Sequence, residues 1–323
     1  MPPSAAPASP AAPATLPDAI HVGFSKCAST FLQAFFEDHP EVFLVNQSHF
    51  FTPFGINGYD KGPAYYAGLF AGAQPGQVKL ESDEHIVLPL FHPVLKAAAT
   101  TLESVRQVAG MIHATQPGAR ILMMVRNQVG LMASRYSEYL IGGGRHGFME
   151  FVEEFFACST DGVDYFQNEY SRVYDVFAQT FGAQNVLVLL QEELAADEDA
   201  TLQSLCGFLG VEFRRPQQRS VWASRKGLSL RGAGVMRAFN RRVVSEPQQS
   251  HLRAKTWMPY PVYKLIARGI RTADHWAPAS LKGDKNALLT PEVRRRIQQR
   301  FEADNRRLGE LLGKDLSRYR YHA

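Results

Sequence analysis

The stretch from His21 to Phe36 constrains this chain more than any other, because its residue types change character twice within one short span. Ile20, Val22 and Phe24 alternate as in a strand. Small or hydroxyl-bearing residues then fill Ser25 to Thr30 around Lys26, and Phe31, Leu32, Phe35 and Phe36 recur at helical spacing. A strand, tight loop and helix start in this order leave the first-turn amides without carbonyl partners and turn the positive end of the helix dipole toward the loop. With the charge of Lys26 added, the segment is predicted to cradle a phosphate or a similar anion.

Spacing separates the families that hold phosphate this way. A nucleotide-kinase loop needs G-x-x-x-x-G-K-[ST], whereas here the lysine follows Gly23 by three residues and no glycine stands in the required place. A cysteine-dependent phosphatase needs an arginine six residues after its nucleophile, and that position after Cys27 is Gln33. The segment instead resembles the 5'-phosphosulfate loop of sulfotransferases, P-K-[SAT]-G-[TS]-[TS]-x-L, which binds 3'-phosphoadenosine 5'-phosphosulfate (PAPS). Lys26, Ser29, Thr30 and Leu32 match it; Ser25 stands for the usual proline and Ala28 for the usual glycine. The resemblance implies that Ser25, Lys26, Cys27, Ala28, Ser29 and Thr30 hold the 5' end of PAPS, with Lys26 also catalytic. It further implies an α/β, P-loop-like three-layer fold whose central parallel sheet is flanked by helices.

A second match is Ile121 to Val125, an unbroken apolar run suited to a central strand covered on both faces, followed by Arg126-Asn127-Gln128 and, in the next helix, Ser134 and Tyr136. A guanidinium at a strand tip and a hydroxyl two helical turns on can grip one phosphate from two sides. This pattern is similar to the 3'-phosphate motif of sulfotransferases, R-[ND]-P-x with a serine eight positions after the arginine, here with Gln128 in place of proline. It assigns Arg126 and Ser134 to the 3'-phosphate.

Between these motifs lies Gln77 to Pro89, a strand running into a polar, acidic turn. Ligands of open α/β sheets gather at such strand ends. Aligned on the family pattern G-E-x-[ST]-P-x-Y-[LF], Glu81 takes the place of the general base, with Ile86 replacing the tyrosine; Glu84 and His85 stand beside it as rival bases. A third anion candidate is the loop Ser224-Arg225-Lys226-Gly227, because sulfotransferases often close a late basic, glycine-containing loop over the donor phosphates. Arg225, Lys226 and Gly227 are therefore expected donor contacts.

The rest of the chain is read from pattern. Residues 1–18 are almost wholly Pro, Ala, Ser and Thr and are expected to be a disordered tail, leaving 19–323 as the sulfotransferase domain. Residues 46–76, rich in Gly, Pro and aromatics, read as a long connection or an acceptor loop. The glycine run at 141–147 reads as a flexible linker. A basic, aromatic insertion at about 233–285 reads as a helical subdomain packing its own Trp257, Tyr260, Tyr263 and Trp276, with a sugar-binding or lipid-acceptor role as the other possibility. Thr290-Pro291-Glu292 opens a final helix with Val293, Ile297, Phe301, Leu308, Leu311 and Leu312 on one stripe and arginines on the other face.

Charge excludes little: 35 Lys and Arg against 31 Asp and Glu argue for local anion sites rather than a nucleic-acid coat. Cys27, Cys158 and Cys206 are odd in number and widely spaced, offering neither a disulfide framework nor a metal pattern and fitting a reducing compartment. No apolar run approaches the roughly 20 residues that span a bilayer, so cytoplasmic placement without stable membrane insertion is expected. The combined expectation is sulfuryl transfer from PAPS, with no metal, to a hydroxyl or amine of a saccharide or small-molecule acceptor. Its rivals are a non-catalytic nucleotide- or polyanion-binding protein that keeps the phosphate sites, and a nucleotide kinase with a degenerate loop.

Overall fold

The computed structural model of the chain describes residues 16–46, 68–84, 86–87, 102–157, 168–215, 227–246 and 254–321. The first part alternates strand and helix: β1 (Ala19–Gly23), α1 (Ser29–Glu37), β2 (Val42–Asn46), β3 (Val78–Ser82), α2 (Leu102–Thr115), β4 (Arg120–Val125), α3 (Gln128–Ile141), α4 (Phe148–Ala157), α5 (Tyr170–Phe181), β5 (Val186–Leu190), α6 (Gln191–Ala196) and α7 (Glu198–Leu209). The five strands form one parallel sheet in the order β2-β3-β1-β4-β5. Helices cover both faces, giving the three-layer α/β arrangement that the sequence led us to expect.

Strand β1 lies at the centre, where the order of the sheet reverses. From β1 the chain runs outward to β2, returns to β3, and then crosses to β4 and β5 on the other side. The carboxyl ends of β1, β3 and β4 therefore open on one crevice, the usual ligand position in such sheets. All five residues of β1 are buried, including His21. The alternation of Ile20, Val22 and Phe24 thus does not mark a solvent face: the polar residue between them is held inside by Ser82.

The second part adds α8 (Leu230–Val243), a short hairpin of β6 (Val244–Glu246) and β7 (Lys255–Thr256), α9 (Tyr260–Trp276), α10 (Ala279–Lys282) and α11 (Pro291–Leu312). Thr290 caps α11 by accepting from the Val293 amide (3.3 Å). Met132, Tyr136 and Leu140 of α3 join Met236, Tyr263, Ile297 and Phe301 in a second apolar core. Leu131 on the same helix belongs to the core of the sheet, so α3 joins the two. A buried amide pair reinforces this contact: Gln128 Nε2 donates to Asn305 Oδ1 (2.8 Å), and Asn305 Nδ2 donates to Gln128 Oε1 (2.9 Å) and to the Tyr321 carbonyl (2.7 Å). Gln128 stands where the resembled motif carries proline, and a proline there would supply no such pair.

Two details differ from expectation. The glycine segment after α3 is fastened rather than free: Asn240 Nδ2 donates to the Leu140 and Gly144 carbonyls (2.6 and 2.8 Å), and the Tyr136 hydroxyl donates to the His146 carbonyl (3.0 Å). In the helical subdomain Tyr263 is buried and stacks on Phe239 (5.7 Å), but Trp257 and Trp276 are 81% and 79% exposed. No helix among the described residues is long and apolar enough to cross a membrane.

Candidate functional site

The loop between β1 and α1 is a tight cradle. Lys26 and Ala28 both take left-handed backbone angles, φ 66° and 72°. The conformation a glycine would favour is therefore kept even though alanine fills its place. Ala28 is the N-cap of α1, and its carbonyl accepts from the Phe31 and Leu32 amides (2.9 and 3.1 Å), while the amides of Ser29 and Thr30 occupy the first turn, where no carbonyl lies one turn back. The Ser29 hydroxyl is buried and donates back to the Phe24 carbonyl (3.4 Å); Thr30 is half-buried. Cys27 is fully buried, and burial pushes its thiol up to about 12, so it stays protonated and offers its backbone rather than a nucleophile.

Against the end of β1 sits the acidic turn that follows β3. The Asp83 amide donates to the His21 carbonyl (3.0 Å) and the Val87 amide to the Val22 carbonyl (3.1 Å). This approach requires Gly23: at its φ of 135° a Cβ would lie 2.6 Å from Val87 Cγ2 and 3.2 Å from the Glu84 carbonyl oxygen. The Glu84 backbone thereby packs against Gly23 and the residue is half-buried, whereas Glu81, three residues earlier in β3, is fully buried. Next to Glu81, Ser82 Oγ shares a hydrogen bond with His21 Nδ1 (2.9 Å) and accepts one from Gln33 Nε2 of α1 (3.1 Å). Burial holds the His21 imidazole neutral, with its pKa lowered to about 4. Rival base His85 lies outside the described residues.

Arg126 leaves the tip of β4 and is fixed by its neighbours. The Tyr170 hydroxyl donates to its carbonyl (2.7 Å), and Glu192 Oε1 accepts from both the amide and the side-chain nitrogen of Asn127 (3.0 and 2.7 Å). Asn127 in turn caps α3 by accepting from the Gly130 amide (2.8 Å). The guanidinium lies over Gly130, where a Cβ would come 2.9 Å from Arg126 Nε. Gly130, Ser134 and Glu138 follow at intervals of four along one ridge of α3. Glu138 closes the row by an ion pair with Lys26 (2.5 Å). The structure thus aligns Arg126, Ser134 and the reach of Lys26 along a single edge of one helix.

Arg225 and Lys226 lie outside the described residues; Gly227 is the first residue beyond that segment and precedes α8. Sequence reasoning passed over Gly130, whose signal was a small residue four after the strand-tip arginine. It also passed over Arg135, whose buried guanidinium donates to Asn168 Oδ1 (3.1 Å), lies 5.4 Å from the Phe155 ring and acts electrostatically on Cys27. Glu192, in the acidic first turn of α6 that follows β5, is the residue that holds the turn carrying Arg126. Among the described residues no three His, Cys, Asp or Glu side chains gather as a metal site would need.

Comparison with known proteins bears on the fold and the family. A sulfotransferase from Alicyclobacillus acidocaldarius shares the fold, with a TM-score of 0.54 at 19% identity over 94% of this chain and 98% of that one. Heparan sulfate glucosamine 3-O-sulfotransferase 6 of Mus musculus is 26% identical over 202 residues, 61% of this chain. The chain spans 53% of that relative's length. Residues 17–215, which hold the cradle, the acidic turn and the Arg126 ridge, match the profile of the sulfotransferase family, and the chain belongs to that family.

Proposed function

We propose that this chain transfers a sulfuryl group from PAPS to a hydroxyl, less readily an amine, of a saccharide or small-molecule acceptor. The observation that carries the reading is the single row formed by the Arg126 guanidinium, Ser134 and the Lys26–Glu138 pair beside the amide cradle. That row gives one grip at each phosphate end of the donor. Arg126 and Ser134 hold the 3'-phosphate, which separates PAPS from ATP. The loop amides of Ser25 to Thr30 hold the 5'-phosphate, and Arg225, Lys226 and Gly227 are assigned to the donor phosphates by the motif alone.

The acceptor oxygen forms its bond to sulfur as the bond from sulfur to the bridging oxygen breaks, in line. Lys26 neutralises charge on that departing oxygen, which leaves on adenosine 3',5'-bisphosphate. A carboxylate at the end of β3 takes the acceptor proton. Glu81 is assigned this role by its place in the motif. Glu84 is the second candidate, because it is only half-buried and its backbone lies against Gly23 while Glu81 is fully buried. Catalysis of this kind is mostly positioning and electrostatics, as in phosphoryl transfer. The sugar acceptor in the mouse relative's name favours a saccharide hydroxyl.

Transfer of label from radioactive PAPS to acceptor pools tests the reading. Glu81→Gln should abolish turnover yet keep affinity for adenosine 3',5'-bisphosphate, and Glu84→Gln should leave most activity. The reverse pattern would move the base to Glu84. Binding without turnover on any pool would make the chain a nucleotide-binding relic, and magnesium-dependent preference for ATP would make it a kinase.

A further inference from the structure

Helix α9 presents three distinct faces. Tyr263 and Ala267 are buried toward the second core. At helical spacing the opposite side carries Val262, Leu265, Ile266 and Trp276, which are 45%, 71%, 37% and 79% exposed, together with exposed Gly269 and Ala273. Lys264, Arg268 and Arg271, all exposed, fall together on the flank between these faces. Trp257 stands just before the helix at 81% exposure, so an exposed indole stands near each end of the helix.

An apolar stripe of this length turned to water, rather than scattered single residues, marks an interaction surface. Charge selects the partner. Residues 227–246 and 254–285 carry ten Lys and Arg against three Asp and Glu, so this part of the molecule repels another copy of itself and attracts a negative plane. An amphipathic helix with basic flanks, a bulky apolar face and terminal tryptophans suits the boundary between lipid headgroups and acyl chains. We propose that the outward face of α9 docks this chain on an anionic lipid bilayer, peripherally and without any helix crossing it. The inference is independent of the donor chemistry and holds whether or not the chain turns over PAPS.

Sedimentation of the full chain with vesicles of phosphatidylcholine alone, and of phosphatidylcholine mixed with phosphatidylglycerol, tests this. The chain should pellet with the mixture, less at high salt, and stay in solution with phosphatidylcholine alone, while tryptophan emission shifts to the blue on binding. Leu265→Ser with Ile266→Ser should weaken partitioning by about a hundredfold or more, because two apolar side chains lose their transfer into the acyl region. Lys264→Glu with Arg268→Glu should weaken it by a similar factor, from about 1 kcal/mol per cation near an anionic leaflet. Both pairs lie on the surface and should melt as the parent does. No pelleting with the mixed vesicles overturns the proposal. So does loss of binding only in the charge-reversed pair, which would make the face a general polyanion surface. A dimer in light scattering that Leu265→Ser with Ile266→Ser dissociates would overturn it in favour of a second copy.

Discussion

Replacing Gly130 with alanine sets two effects of opposite sign against each other. In the third position of α3, alanine is favoured over glycine by up to about 1 kcal/mol. The added methyl would meet Arg126 at 2.9, 3.1 and 3.3 Å, and only the far end of that side chain has to give way. The fold should therefore hold, with a melting temperature unchanged or a degree or two higher. The guanidinium, however, must move several tenths of an ångström off its seat. A hydrogen bond to a charged group contributes about 1.5–3 kcal/mol, and losing roughly half of that alignment weakens binding about fivefold to tenfold. Calorimetric titration with adenosine 3',5'-bisphosphate reads this directly, and thermal denaturation reads the stability. In an Arg126→Gln background Gly130→Ala should cost no further affinity, because the coupling between the two positions is already gone. An unchanged Kd for Gly130→Ala in the parent, with a normal melt, would refute the claim that this glycine seats the 3'-phosphate ligand.

Three further outcomes are expected. Gly23→Ala places a side chain at φ 135° against Val87 and the Glu84 carbonyl, which should cost about 3 kcal/mol in urea denaturation; an unshifted midpoint would contradict the close approach of the acidic turn. Cys27, its thiol raised to about 12 by burial, should resist a thiol reagent at neutral pH until the chain unfolds, as peptide mass spectrometry after labelling would reveal. His21 and Asp304 should oppose each other between about pH 4 and 6. His21, lowered by burial from 6.5 to about 4, binds its proton less readily folded than unfolded, so its contribution is full above pH 6.5 and is lost as pH falls. Asp304, raised by burial from 3.8 to about 6, binds its proton more readily folded and disfavours the fold as pH rises through that window. Asp304→Asn should remove the second effect and expose a decline of up to about 3 kcal/mol in urea-derived stability from pH 6.5 to 4; a flat profile would count against the buried neutral imidazole.

The fold was legible where one local pattern decides the outcome. The apolar run from Ile121 to Val125 and the change of period after Phe24 are short-range signals, and both elements stand where the pattern puts them. The order of the strands was not legible, because which strand borders β1 depends on crossovers between residues far apart in the chain. His21 illustrates the limit: between apolar neighbours it reads as the outward face of a strand, yet Ser82, 61 residues away, satisfies it inside. Arg126 and Ser134 were legible as a motif, whereas the Glu192 carboxylate holding Asn127 comes from 65 residues away and follows from no local pattern. Trp257 and Tyr263 look alike as residue types, and only packing against Phe239 distinguishes the buried ring from the exposed one.

Helix α3 accounts for why the second core matters to the proposed donor site. One ridge of this helix carries Gly130, Ser134 and Glu138 toward the cradle, while Met132, Tyr136 and Leu140 on another ridge are locked among α8, α9 and α11. Its start is held by Asn127 and by the Gln128–Asn305 pair, its end by Asn240 on the Leu140 carbonyl. A shift of the helix along its axis would therefore carry Ser134 and the partner of Lys26 together while leaving the loop amides in place. The separation between the two proposed phosphate grips is consequently set by packing in the second core. Small changes in that core, such as a methylene lost at Met236 or Ile297, should alter the fit of a bisphosphate of fixed length before they threaten the sheet. The aromatic and aliphatic residues behind α3, which carry no chemistry of their own, are in this sense part of the site.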